Sequence, residues 1–216
     1  MRGVNETTQV HPPGDGAAEA RSRRDTRARI QQVAVELFTE HGYDATSLRE
    51  IAERLDVTKA ALYYHFKSKE DIVASLVEDY FGQIDALIAW AREQPPSDEV
   101  RGEILRRYVR IVAEQDRVLR MLHQNQAAVH TMAVAKRRGE LFKERMHSLV
   151  DLLAGPGATL EERLRATMTI GGASIGWTFY GGQAVDREEL GALITSLACD
   201  FARLPRPTAP AGPPGS

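Results

Sequence analysis

One cysteine, Cys199, stands in 216 residues, so no intrachain disulfide can form. Its place on an apolar helical face suits packing better than redox chemistry. No apolar stretch is long enough to span a bilayer. The first 29 residues are polar and hold no apolar run of the secretory kind, so a cytosolic protein is expected. P-loop, dinucleotide fingerprint, nucleophile elbow and zinc motif are all missing. No catalytic residue and no cofactor are therefore assigned, and an enzyme is not expected. His123 and His130 lie seven apart with a helix break expected near 128–130, and neither they nor His147 has a cysteine or paired carboxylate at ligand spacing, so no metal site is assigned. Net charge is also nearly absent, at −2. That total alone would not suggest nucleic acid, but the distribution does. Residues 21–69 carry ten Lys and Arg against seven acids, which leaves the remainder acidic.

The informative segment lies in that basic part, over residues 46–69. Leu48, Ile51, Ala52 and Leu55 recur at spacings of three and four, one face of a helix. Thr46 or Ser47 can cap it, and Ser47 with Glu50 matches a capping box. Asp56 falls where the turn needs a left-handed residue, a conformation Asp tolerates better than most. Val57 plugs the turn, and Thr58 can cap a second helix over 58–65. There Ala61, Leu62 and Phe66 are the apolar positions, and Lys59, Ala60, Tyr63, Tyr64 and His65 the exposed ones. Two short amphipathic helices joined by a tight turn read as a helix-turn-helix, whose second helix enters a DNA groove. Its N-terminal Lys59 and Ala60 would meet base edges, and Tyr63, His65, Lys67 and Lys69 can donate to phosphates. The alternative is a surface helix with a solvated charged face; turn, caps and aromatic run together argue against it.

The segment resembles the DNA-binding domain of the tetracycline-repressor (TetR) family. The resemblance covers roughly residues 24–72. It includes a preceding helix with Ile30, Val33, Ala34, Leu37 and Phe38, then Glu40-His41-Gly42-Tyr43 and Ala45-Thr46, Leu62-Tyr63-Tyr64-His65-Phe66 and Lys67-Ser68-Lys69-Glu70. Asp56 departs from the common turn glycine. The resemblance implies an all-α homodimer that represses transcription and leaves DNA when a small molecule binds. It has an N-terminal three-helix helix-turn-helix DNA-binding domain and a C-terminal helical ligand-binding and dimerisation domain, about nine helices in all. By position, Thr46, Arg49, Thr58, Lys59, Ala60, Tyr63, Tyr64, His65 and Lys69 match places that commonly contact DNA in the family. Lys59 could read guanine or touch only phosphate.

Along the chain, residues 1–23 are rich in Gly, Pro, Ala and charge and read as a disordered arm. Arg21, Arg23 and Arg24 at its end could follow phosphates, enter a minor groove, or simply add solubility. The DNA-binding domain is expected over 24–68 and the second domain over 69–204. Ser68 with Asp71 can cap a long helix over 69–93, which would link the two. Helices are expected over 98–115, 116–127 and 131–153. Two more, 159–181 and 187–203, are too apolar for solvated helices. Gly171, Gly172 and Gly176 let another backbone approach, and the pair is read as the homodimer interface. Residues 205–216, rich in Pro, Gly and Ala, read as a disordered tail.

A pocket for a small-molecule effector is expected between the linking helix and this interface. Its candidate lining is Trp90, Tyr108, Met121, His123, Gln126, Phe142, Met146, Trp177 and Tyr180, with Leu122, Met132 and Phe179 as further candidates. Aromatic and Met residues at helical spacing are more often ordinary core. The polar run His123-Gln124-Asn125-Gln126 must in part face inward or cap a helix end. This mixture suggests a moderately large, mostly apolar ligand. The partners expected are thus double-stranded DNA, a small-molecule effector and a second copy of the chain, with no membrane. Control by a protein partner, or activation in place of repression, is the competing reading.

Overall fold

The structure, a computed structural model, describes residues 15–125 and 134–204. Helices are the only regular elements among them: α1 (Asp15–Glu40), α2 (Leu48–Arg54), α3 (Lys59–His65), α4 (Lys69–Arg92), α5 (Asp98–Glu114), α6 (Asp116–Gln124), α7 (Val134–Ala154), α8 (Leu160–Tyr180) and α9 (Arg187–Ala202). The expected tail 205–216 lies outside the described residues, as do Gln126 and Met132. No described helix is long and apolar enough to cross a membrane.

Side-chain caps set most of the helix starts. The hydroxyls of Ser47, Thr58, Ser68 and Ser97 each accept the backbone N–H three residues on, which satisfies a donor the helix cannot satisfy itself. Thr159 and Glu162 form a complete capping box at α8. One boundary departs from expectation: α1 begins at Asp15, so residues 15–23 are helical and not a disordered arm. The helix-breaking Gly3, Pro12, Pro13 and Gly14 all precede this helix. From Ala17 onward, Ala, Glu and Arg are strong helix formers and an acid opens the helix.

Two apolar clusters organise the molecule. The first joins Ile30, Ala34, Leu37 and Phe38 of α1 to Leu48, Ile51 and Ala52 of α2, Leu62 of α3, and Ile72, Val73 and Leu76 of α4. The second joins Tyr80, Ile84, Leu87 and Ile88 of α4 to Leu105, Tyr108 and Val112 of α5, Leu149 and Leu153 of α7, Ile170 and Trp177 of α8, and Cys199 of α9. The packing therefore changes within α4, between Leu76 and Tyr80, two turns beyond residue 68. At about 36 Å this helix is a strut shared by both cores.

A second bridge is α6. Its Val118 and Met121 are buried in the first cluster, while its N-terminal Asp116 is held by the end of the second. Asp116, 1% exposed, takes Arg120 Nη2 at 3.1 Å and Arg187 Nη1 at 3.2 Å. Arg187 also donates to the carbonyls of Gly181 (3.1 Å) and Ala113 (2.8 Å), and lies over the Trp177 ring. A Cβ at Gly182 would collide with Arg120 Nη1, so glycine lets the α8–α9 turn close over this junction.

Candidate nucleic-acid interface

The interface is built by the turn between α2 and α3. Asp56 takes φ 54°, the left-handed conformation expected of it, and the N–H of Val57 reaches Ala52 O at 3.1 Å. Leu62 and Phe66 are buried and fix which face of α3 looks inward. The opposite face carries Lys59, Ala60, Ala61, Tyr63 and Tyr64, all exposed; Tyr64 is 65% exposed. Ala61, expected in the core, is thus on the outer face. The helix is only seven residues long, and Leu62 with Phe66 suffices to anchor it.

Side-chain geometry on this face separates the candidates. Lys59 Nζ lies 5.5 Å from the Tyr63 ring centre and stays exposed, a cation poised beside an aromatic. The Tyr64 ring meets His65 edge-on at 5.2 Å. Burial chiefly, and the Arg27 charge secondarily, hold the His65 imidazole below its usual pKa. Thr58 caps α3, and Lys67 Nζ donates to Tyr63 O at 2.8 Å, closing the last turn. Arg49, on α2, is exposed and pairs with Glu53 at 2.7 Å.

Two candidates are turned inward. Thr46 is 1% exposed, and its hydroxyl donates to Leu37 O (3.2 Å) or Gly42 O (2.8 Å), so its side chain secures the α1–α2 loop and does not face DNA. Lys69 donates to Tyr43 O (2.6 Å) and Asp44 O (3.3 Å) and lies over the Tyr43 ring, stapling the start of α4 to that loop in place of an outward phosphate contact. Both positions were assigned by analogy of place, which does not report which way a side chain turns.

The same loop contains contacts that sequence reasoning missed. Tyr43 O–H donates to Glu70 Oε1 at 2.7 Å, and Tyr43 N–H donates to Asn125 Oδ1 at 3.1 Å. Burial and the Glu70 carboxylate push the Tyr43 phenol well up, and the phenol's hydrogen bond holds Glu70 down. Asn125, which also donates to Met121 O, is the inward-facing, helix-ending member of the polar run 123–126. His123 and Gln124 are exposed. The run was visible in sequence; its partner, 82 residues away, was not.

The effector candidates do not converge on one cavity. Tyr108 and Trp177 are buried in the second cluster, and Tyr108 O–H lies 2.5 Å from Ser174 Oγ. Burial raises the Tyr108 pKa. Met121 is buried in the first cluster, with Leu122 packed beside it. Trp90 is half-buried under the Arg107 guanidinium, and Met146 packs on the second cluster. Phe142, Phe179 and Tyr180 are exposed, as is His123. The expected lining is therefore core or surface. A cleft of about 760 Å³ lies instead at the far end of the second cluster, between α4, α5, α7 and α8. Its walls include Arg92, Asp98, Arg101, Asp151 and Glu162 over Ile104 and Leu152, and none of the nine candidates.

The model of "Bacterial regulatory proteins, tetR family" matches residues 30–76, the helices just described. The HTH-type transcriptional repressor KstR2 of Mycolicibacterium smegmatis is 30% identical over 118 residues, 50% of this chain and 55% of the relative. The HTH-type transcriptional regulator AcrR of Shigella flexneri is 44% identical over 55 residues, 26% of each chain. The chain thus spans about half the length of the first of these relatives and a quarter of the second. The fold extends further. The TetR family transcriptional regulator PfmR of Thermus thermophilus superposes with a TM-score of 0.65 at 21% identity, over 81% of this chain and 97% of that one. The ketosteroid transcriptional regulator KstR2 of Mycobacterium tuberculosis does so with 0.62 at 15% identity, over 84% and 96%. Residues 30–76 thus carry a helix-turn-helix of the TetR family of bacterial regulatory proteins, and the helical body that follows matches such regulators in fold.

Proposed function

We propose that the chain is a DNA-binding transcriptional regulator, a repressor that binds a palindromic operator as a homodimer and is released by a small molecule. The observation that carries the reading is the outer face of α3. A capped, core-anchored helix presents Lys59, Ala60, Tyr63 and Tyr64, all exposed among the described residues. Lys59 and Ala60 stand at the end that meets bases, and Thr58, Tyr63, Tyr64, His65 and Lys67 offer hydroxyl, imidazole and ammonium donors for phosphate. Arg49 supplies a further cation from α2.

The homodimer rests on α8 and α9. Leu160, Leu164, Met168, Ile175 and Phe179 form one exposed stripe at spacings of four and seven, and Leu193, Leu197 and Phe201 form another. Gly171 and Gly172 leave open space in the middle of the first stripe. A face of this kind is rare on a monomer and suits an isologous four-helix contact. Two readers fixed this way would face half-sites a whole number of turns apart.

For the effector, the far cleft is the proposed site. It is of ligand size, and its apolar floor suits the mostly apolar body of a small molecule. Its charged rim adds a preference for a polar end. A ligand there would clamp the end of α4 whose other end packs in the reader, and so shift the spacing of the two α3 helices.

Selection of genomic fragments by the purified protein, followed by footprinting at near-physiological salt, tests the reading. Protection of a palindrome beside a promoter is expected. Protection of random and selected fragments alike would overturn it.

A further inference from the structure

We infer that the first turns of α1 are a second DNA-contacting element, in which Arg23 and Arg27, flanked by Arg24, grip backbone phosphates beside the groove that α3 enters. The inference rests on α3 being the reader. Three observations lead to it. First, α1 runs unbroken from Asp15 to Glu40, so its early turns continue as helix beyond Ile30, the first residue of the core cluster. Second, this extension is basic: residues 21–29 hold five arginines and one acid. Third, it stands beside the C-terminal end of α3. The Arg27 guanidinium lies 4.4 Å from the centre of the Phe66 ring, at the C-terminal cap of α3, and its charge is felt by His65 on α3 itself.

Helix geometry selects which arginines take part. Arg27 and Arg23 precede Ile30 by three and seven residues, spacings that stay on the face α1 turns toward α3. Arg27 is half-buried against Phe66, and Arg23, exposed, stands one turn further out, about 6 Å along the axis. Arg24 flanks them. Arg21 and Arg29 point about 180° and 100° away from Ile30, so they lie off this face. A polyanion held on the outer face of α3 and running past that helix's C-terminal end would therefore meet Arg23 and Arg27 before Arg21 or Arg29. Guanidinium groups held in this way suit phosphate oxygens, which they can engage with two N–H groups at once.

The test compares wild type with Arg23→Gln, Arg27→Gln and the double control Arg21→Gln/Arg29→Gln. Affinity for a selected fragment and for random duplex is measured between about 50 and 200 mM salt. Arg23→Gln is expected to reduce the slope of log affinity against log salt by about 0.9, on both DNAs equally, because phosphates carry no sequence information. Arg27→Gln should do the same, and the double control should leave the slope at its wild-type value. Because Arg27 also packs on Phe66, Arg23→Gln, which lies outside the core, decides the matter if Arg27→Gln unfolds. An unchanged slope for Arg23→Gln, or an equal drop in the control, overturns the inference. Random duplex makes this independent of what α3 reads: a wild-type protein without sequence preference overturns the reading of α3, whereas the slopes judge α1.

Discussion

The outer face of α3 and the joint outer face of α8 and α9 are both exposed among the described residues, and they differ in chemistry. The first is short, basic and aromatic, with hydroxyls and ammonium groups at its rim. The second is long and apolar, and its stripes of Leu, Met, Ile and Phe run the length of α8 and the C-terminal part of α9. Leaving the first in water costs almost nothing, since its polar groups are hydrated. Leaving the second there forgoes about 1.5–3 kcal/mol for each large side chain that could be fully buried. A partner for α3 would therefore be bound for its charge and released by salt, whereas a partner for α8 and α9 would be bound for its shape and apolar area and stay. That asymmetry is what a regulator needs if it is to leave DNA without coming apart.

The comparison is broken most strongly by putting charge on the apolar face. Met168→Glu with Leu197→Glu should convert the dimer to a monomer at micromolar concentration, read by sedimentation. DNA affinity should fall by about 100-fold or more, since a lone reader loses the gain from its tethered twin. An unchanged mass would remove α8 and α9 from the interface. Smaller losses, each about 1–3 kcal/mol, are expected from the basic face. Tyr64→Ala should weaken binding to all sequences alike. Lys59→Ala should also relax base preference, and equal losses on specific and random DNA would reduce Lys59 to a phosphate contact.

How much of this could be read beforehand follows the same division. Caps, turn and core of the reader are local: Ser47, Thr58 and Ser68 each act three residues away, and Asp56 needs only its own φ. The apolar excess of α8 and α9 was legible too, because a stripe at spacings of three and four is written within one helix. What stayed hidden depends on residues far apart. Lys69 looks like any basic residue after a recognition helix until the carbonyl of Tyr43 is found beneath it. The Asp116 junction needs Arg187, 71 residues on. Aromatic and Met residues mark burial but not cavities, so Trp177 and Tyr108 were candidates for a pocket that their own packing fills.

The two faces are joined through the packing of α4 and α6, and the Asp116 junction sharpens the comparison from inside. Asp116→Asn should leave Arg120 and Arg187 facing a neutral amide. With Arg187 half in water, the cost in stability is about 1–3 kcal/mol, short of that for a fully enclosed pair. The dimer should persist, because no residue of the apolar stripes is altered. Loss of the dimer at unchanged fold would mean that the junction shapes the interface itself.

The smallest effect lies at the other end of α6, where Tyr43, Glu70 and Asn125 lock the loop of the reader. Glu70 is held below its usual pKa, first by the Tyr43 hydrogen bond and then by the α4 N-terminal backbone. The folded state thus binds fewer protons than the unfolded one as pH drops through the carboxylate range. The stabilisation is present above the unfolded pKa and is lost as pH falls through the lower folded value. Tyr43→Phe removes the largest cause. Because Glu70 is largely exposed, the loss near neutrality should be under about 1 kcal/mol, roughly one ordinary hydrogen bond. The acid limb of the stability profile should become shallower in the variant, as followed by denaturant unfolding from about pH 6 to pH 3. Wild-type and variant limbs that run parallel would mean that another carboxylate governs acid unfolding of the reader. The proposed dimer face, which has no titrating side chain among its stripe residues, should hold its association through the same range.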